Sequence, residues 1–185
     1  MIESLKNAAS NALKKMLGQE LVKQYTNPDP MNKYACFFTA FFMYFRTVHG
    51  MKFSFAKYKQ ECLVIGAMKE NFTILDHSKM AAAAGYPKLK CKNTSSKITE
   101  KIFELLLKNC PVPFSLGGKH YESIDGYEAQ SDGSIRFSVD DPGWQHDTFC
   151  DAADLFVYRI ENGKKVYSKN DAGGKRKITT VYWFE

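Results

Sequence analysis

The chain has 185 residues, of which 44% are hydrophobic and 14% aromatic, enough apolar material to build a buried core. Its charged fraction of 25% is ordinary, which argues against a disordered or coiled-coil protein. The formal net charge of +6 attracts anionic partners, but the lysines are spread along the chain and no nucleic-acid-binding motif occurs. We therefore expect one globular domain over residues 1–185 and no nucleic-acid partner.

Residues 1–23 are predicted to form an N-terminal amphipathic helix, because Ile2, Leu5, Ala9 and Leu13 recur at intervals of three and four. This segment has no apolar stretch of the kind that defines a signal peptide, and no apolar run in the chain is long enough to span a bilayer. Cytoplasmic synthesis without a signal peptide or transmembrane segment is expected, while the cell wall stays open as a site of action.

A core helix is predicted at residues 35–48. The preceding residues, 25–32, contain two prolines and form a loop, whereas 35–48 is strongly apolar without two-residue alternation. Cys36 then lies in the first turn of a buried helix. Backbone amides and the helix dipole stabilise a thiolate at such a position.

Three more helical segments are predicted before residue 110. They are 54–70, a short turn at 80–85 closed by a glycine, and 97–109, with Ser95 or Ser96 as the N-cap.

After residue 110 the sequence changes to short β-favouring runs separated by turns. The runs are 112–116, 121–127, 135–140, 155–160, 164–167 and 178–184. Asn162-Gly163 is typical of a two-residue hairpin turn. Helices in the first half and an antiparallel sheet in the second predict an α+β fold.

The five cysteines are odd in number and irregularly spaced, which indicates free thiols and a reducing compartment. They are Cys36, Cys62, Cys91, Cys110 and Cys150. No C-x-x-C pair occurs, so the cysteine spacing predicts no zinc site. We expect neither a metal nor an organic cofactor.

Three residues suit a thiol hydrolase, which needs a nucleophile, an imidazole that moves its proton, and a group that orients the imidazole. Cys36 begins the core helix, His120 begins a strand after two glycines, and Asp141 ends the next strand. Neighbouring antiparallel strands can place His120 and Asp141 side by side. His146 is an alternative base and Asp140 an alternative orienting group, although strand alternation favours Asp141.

Ordered segments of the chain resemble a known family. Residues 24–27 and 35–39 resemble the Q-x-x-N…C-x-x-T opening of papain-like cysteine peptidases, and more narrowly of the bacteriocin-leader-peptidase-like branch found in bacteria and phages. Residues 111–127 are similar to that branch's P-V-x-x-S…H-x-x-x-x-x-G-Y segment, and 138–143 resemble its V-x-D-P-x-G segment.

The resemblance implies a papain-like fold, with an N-terminal helical half packed on a C-terminal antiparallel sheet. It also implies that Cys36 is the nucleophile, His120 the general base and acid, and Asp141 the orienting group. Gln24 would supply the oxyanion amide, with Asn27 or Asn32 as alternatives.

The implied activity is that of a cysteine peptidase or amidase working through a thioester acyl-enzyme. A peptide or peptidoglycan substrate is expected, as for a phage-type endolysin. Two alternatives are a transglutaminase-like acyltransferase and a papain-like binding domain without activity. The second alternative draws on Phe37, which stands where many relatives have a glycine, and on the long interval between Gln24 and Cys36.

Overall fold

The structure of the chain, a computed structural model, describes residues 35–117, 120–141 and 148–185. The predicted helix at 1–23 and the predicted loop at 25–32 lie outside these residues.

Helices and an antiparallel sheet make up the described part of the chain. The helices are α1 (Cys36–His49), α2 (Phe55–Val64), α3 (His77–Ala83) and α4 (Ile98–Leu107). The strands are β1 (Cys91–Thr94), β2 (Val112–Ser115), β3 (Tyr121–Ala129), β4 (Ile135–Asp140), β5 (Thr148–Asp151), β6 (Val157–Glu161), β7 (Lys164–Tyr167) and β8 (Thr180–Phe184). They form one sheet in the order β1-β8-β2-β3-β4-β5-β6-β7, and every described pairing is antiparallel. The predicted α+β class is confirmed.

Helix α1 is the centre of the larger apolar core. Its residues from Cys36 to Phe45 are all buried, as expected for an apolar segment without two-residue alternation. The helix ends where Gly50 adopts a left-handed conformation with φ of 67°, a backbone geometry that glycine adopts without strain. The prediction that Cys36 begins a buried helix is confirmed.

Helix α2 is shorter than the predicted 54–70. The chain leaves the helix after Val64, and Gly66 takes a φ of +65° that ends any helical continuation. Met68 and Ile74 then form an isolated antiparallel bridge, so the last predicted residues of this helix belong to a turn.

The N-cap predicted for α4 was wrong. Neither Ser95 nor Ser96 caps the helix; the N-cap position is Lys97, in a left-handed conformation with φ of 47° and no side-chain hydrogen bond. Ser96 is held by Thr94 instead, because its backbone N–H donates to Thr94 Oγ1 at 3.2 Å.

The sheet contains two strands that the sequence did not predict, β1 and β5, each of four residues. The last strand, β8, lies between β1 and β2. Helix α1 is tied to β8 through Tyr44, whose hydroxyl donates to the Phe184 carbonyl and accepts from its N–H at 3.2 Å. The predicted hairpin at Asn162-Gly163 is confirmed, with φ of 50° and 73° between β6 and β7.

A second apolar core lies between α4 and the sheet, around Phe114, Ile124 and Phe137. Strands β2 and β3 contact both α1 and α4. The start of β3 is therefore buried on both faces, and the candidate site lies at this end of the strand.

Within the described residues, no helix has the length and apolarity needed to cross a membrane.

Candidate active site

Cys36 is the first residue of α1, and only 7% of it is exposed. It is a free thiol. The carbonyl oxygen of the preceding residue, Ala35, accepts the first helical hydrogen bond, from the Thr39 N–H at 2.8 Å. The backbone N–H of Cys36 is thus one of the amides at a helix start that have no partner within the helix, and such amides favour negative charge.

His120 lies immediately before β3 and is hydrogen-bonded to the Cys36 side chain. Its Nε2 lies 3.2 Å from Asp141 Oδ1. The imidazole is 19% exposed, so one edge of it can be reached from solvent. Since Nε2 faces a carboxylate, Nδ1 is the nitrogen suited to exchange a proton with the Cys36 sulfur.

Asp141 directly follows β4, and its side chain is only 6% exposed. Antiparallel pairing of β3 with β4 brings it beside His120. Ser123 pairs with Asp140, and His120 precedes Ser123 at the same end of the strand pair at which Asp141 follows Asp140. The structure therefore brings the side chains of Cys36, His120 and Asp141 together.

Glu122 is a fourth member of the cluster, and the sequence analysis missed it. Its side chain is 1% exposed, and its Oε1 lies 3.2 Å from His120 Nε2. It pairs with Phe114 of β2, and directly opposed residues share a face of the sheet, which explains why the carboxyl points into the core. Two-residue alternation from His120 was a signal that would have found it.

The protonation of His120 depends on this cluster. Burial alone lowers the pKa of His120, but hydrogen bonds with Asp141, Cys36 and Glu122 outweigh burial and raise the pKa well above its ordinary value. The imidazolium form is therefore favoured, and an imidazolium beside sulfur stabilises the thiolate.

The pKa of Glu122 is raised above the ordinary value of a carboxyl. Burial is the main cause and the charge of Asp141 adds to it, and against the lowering effects of His120 and Arg176 the net result is a pKa of about 7. The two carboxylates repel each other, and both are stabilised by the positive charge of the one imidazolium between them.

The other four thiols have a different environment. Burial raises the pKa of Cys62 and of Cys91 to about 12 each, and it also raises the pKa values of Cys110 and Cys150. These thiols are protonated at neutral pH and hence poor nucleophiles.

Phe37, which stands where a glycine was expected by resemblance, packs in the core. Its ring stacks on Tyr121 of β3 with centroids 3.9 Å apart and meets the His77 ring edge-on at 5.0 Å. It thus joins the start of α1 to the start of β3. His77 is the first residue of α3.

Several predicted site residues lie outside the described part of the chain. They are Gln24, its alternatives Asn27 and Asn32, and the alternative base His146. The oxyanion partner therefore stays a prediction. Asp140, the alternative orienting group, pairs with Ser123 in the β3–β4 ladder.

No family model and no curated protein matches the chain. The likeness to papain-like peptidases consequently stays a prediction drawn from the residues.

Proposed function

We propose that the protein is a cysteine peptidase or amidase of papain-like type, with Cys36 as nucleophile, His120 as base and acid, and Asp141 as orienting group. One observation carries the proposal. A single buried imidazole is hydrogen-bonded to a thiol at a helix start and, through Nε2, to a carboxylate 3.2 Å away. Those are the three parts that thiol-based acyl transfer requires.

In the first half of the reaction, the Cys36 sulfur attacks the carbonyl carbon of an amide after its proton has passed to His120. The tetrahedral intermediate carries a negative oxygen, and the Cys36 N–H at the start of α1 is suited to donate to it. His120 then gives its proton to the leaving nitrogen, the C–N bond breaks, and a thioester remains on Cys36.

In the second half, His120 accepts a proton from water as the water attacks the thioester. The C–S bond then breaks, the carboxylic acid leaves, and the proton taken from water stays on the pair formed by Cys36 and His120. Asp141 holds the ring orientation throughout by accepting from Nε2, so that Nδ1 faces the sulfur. None of these steps requires a metal or an organic cofactor.

The placement of the site supports the papain-like assignment, since a helix that begins with the thiol packs against antiparallel strands whose ends carry the histidine and the aspartate. For the substrate we propose acidic peptides of the peptidoglycan type. The net charge of +6 favours anionic substrates, and the resemblance to a phage and bacterial branch agrees with this choice.

The proposal is tested by incubating the full chain with purified peptidoglycan and with a peptide library, followed by mass spectrometry of the released fragments. The wild-type protein should release peptides with new carboxyl termini, and Cys36→Ala should release none. Cys110→Ser is the matched control, because Cys110 is a half-buried thiol away from the cluster, and its activity should equal that of the wild type.

Adding a labelled amine to the same reaction separates hydrolysis from acyl transfer. Hydrolysis predicts that most acyl groups end as carboxylic acids, whereas a transglutaminase-like enzyme would give mainly labelled amides. Equal fragment release by wild type and Cys36→Ala would overturn the proposal.

A further inference from the structure

We propose that His120, Glu122 and Asp141 form a binding site for a borderline divalent cation such as Zn²⁺, with His120 as a ligand through Nε2. Their ligand atoms all lie within 4.8 Å of one another, and all three side chains are largely buried. We also infer that bound Zn²⁺ inhibits the reaction of the Cys36 thiol. This second part rests on the proposed function, whereas Zn²⁺ binding does not.

The spacing of the donor atoms around Nε2 is compatible with a bound metal as well as with hydrogen bonding. Nε2 of His120 lies 3.2 Å from an oxygen of Asp141 and 3.2 Å from an oxygen of Glu122. A single N–H donates well to one acceptor, so the second carboxylate gains little from it. Tetrahedral zinc holds nitrogen and oxygen ligands about 2.0–2.2 Å away, which puts neighbouring ligand atoms roughly 3.3 Å apart.

A second observation points to a ligand. Glu122 is only 1% exposed, and its Oε2 atom has no hydrogen-bond partner among the described residues. A buried carboxylate oxygen without a partner is unfavourable, and a cation would satisfy it. Zn²⁺ would also balance the charge of the two neighbouring carboxylates in place of the proton that it displaces from His120, with Arg176 as a further cationic side chain nearby.

The donor set selects the class of cation. One imidazole nitrogen and two carboxylate oxygens suit zinc and similar transition metals, whereas Mg²⁺ prefers oxygen ligands and retains its waters. The two-carboxylate, one-histidine set involves no cysteine, so the absence of C-x-x-C pairs in the sequence does not bear on it.

Occupancy would affect the thiol through the histidine. A cation on Nε2 displaces the Nε2 proton of the imidazolium and takes the place of the hydrogen bond to Asp141, while the ring keeps its proton on Nδ1. The displaced proton returns to the Cys36 sulfur, which is not itself a ligand, and a ring with a metal on Nε2 and a proton on Nδ1 cannot accept it again. Zn²⁺ would therefore act as a reversible inhibitor that leaves the thiol uncoordinated.

The binding test uses tag-free, metal-stripped full-length protein titrated with Zn²⁺ in competition with a chromophoric chelator. We expect Glu122→Gln and Asp141→Asn each to weaken the binding of one Zn²⁺ equivalent at least tenfold, and the exposed control Glu104→Gln to leave it unchanged. Excess Mg²⁺ should not compete. Circular dichroism checks that each variant is folded.

Co²⁺ bound to the wild type provides a second measurement that needs no variant. Ligation by nitrogen and oxygen predicts visible d–d bands without a sulfur-to-cobalt charge-transfer band. A charge-transfer band that is lost in Cys36→Ser would overturn the proposal, as would unchanged Zn²⁺ affinity in folded Glu122→Gln and Asp141→Asn, or no Zn²⁺ binding by the wild type.

The inhibition is read from the rate at which iodoacetamide alkylates Cys36 with and without Zn²⁺. We expect at least tenfold slowing in wild type and no slowing in Glu122→Gln at the same Zn²⁺ concentration. If Zn²⁺ binds as proposed but Cys36 is unreactive in metal-free protein, the proposed function fails while the metal site stands. If Cys36 is reactive and Zn²⁺ slows Glu122→Gln equally, the inhibitory site fails and the proposed function stands.

Discussion

At the scale of single residues, the candidate site is organised around the two nitrogens of His120. One side of the ring meets the Cys36 thiol, and Nε2 meets the carboxyls of Asp141 and Glu122. This arrangement keeps the imidazole in one orientation and favours its charged form. The reactivity of the thiol should therefore depend on residues that do not touch it.

Asp141→Asn tests that dependence. Removing one of the carboxylates that hold the proton on His120 should slow alkylation of Cys36 by iodoacetamide by about tenfold or more at neutral pH. The rate is measured by quenched-flow labelling and peptide mass spectrometry. Asp140→Asn is the neighbouring control and should stay within a factor of about two of wild type. Equal rates for the two variants would show that Asp141 does not orient the base.

The sequence was informative about residues that end or begin elements. Cys36, His120 and Asp141 were found because each stands at such a boundary, where a helix start or the ends of paired strands bring side chains together. Glu122 was missed because it lies inside a strand, where a carboxylate looks like one more solvent-facing residue. Its burial comes from the covering of β3 by packed elements, and local pattern does not encode that.

At the scale of elements, the contact between α1 and β3 holds nucleophile and base in register. Phe37 follows the nucleophile, and Tyr121 follows the histidine, with their rings stacked at 3.9 Å. The aromatic pair thus joins the residues next to Cys36 and His120. An aromatic residue at this position has a structural reason, although the resemblance led us to expect a glycine.

Phe37→Ala should lower the free energy of unfolding by about 3–5 kcal/mol, because a buried ring is removed from between a helix and a strand. Phe37→Leu, which keeps much of the apolar volume, is the control and should lower it by less than about 1.5 kcal/mol. Urea denaturation followed by tryptophan fluorescence measures both. A loss under about 1 kcal/mol for Phe37→Ala would mean that the ring does not join the two elements.

Most elements were predicted from local pattern, but two strands, one helix end and one N-cap were not. Apolar content alone identified α1, whereas β1 and β5 have four residues each and gain their order from neighbouring strands. The end of α2 and the N-cap of α4 were placed wrongly because Gly66 and Lys97 adopt positive φ values. Such local geometry is decided by the surrounding packing.

At the scale of the whole molecule, the α+β class followed from the order of helical and β-favouring segments, but the strand order did not. Strand β8 pairs with β1 and β2 across long stretches of sequence, and these pairings are selected by the shape of the assembled core. The core also buries several thiols, with a consequence for stability at high pH.

Stability should fall as the pH rises above 9. Burial raises the pKa of Cys62 from 9.0 in the unfolded chain to about 12 in the fold. Its contribution is therefore fully present below pH 9 and is lost progressively between about pH 9 and 12, as the unfolded state loses the proton first. By pH 10 this thiol alone should lower the free energy of unfolding by about 1.4 kcal/mol.

Denaturant titrations of wild type and Cys62→Ala between pH 8 and pH 10 measure this contribution. The variant should be less stable throughout but should lose about 1.4 kcal/mol less over that interval. Parallel pH profiles for the two proteins would contradict the assignment of the alkaline loss to Cys62.

Competitive alkylation of the five cysteines measures whether His120 activates the Cys36 thiol. Metal-free native protein is treated with limiting iodoacetamide at about pH 6.5, where an ordinary thiol is almost fully protonated, and each cysteine is quantified by mass spectrometry. We predict that Cys36 reacts at least tenfold faster than each of the other four cysteines, and that folded His120→Ala loses this advantage. If Cys36 reacts no faster than the other thiols, or keeps its advantage in His120→Ala, then His120 does not activate it.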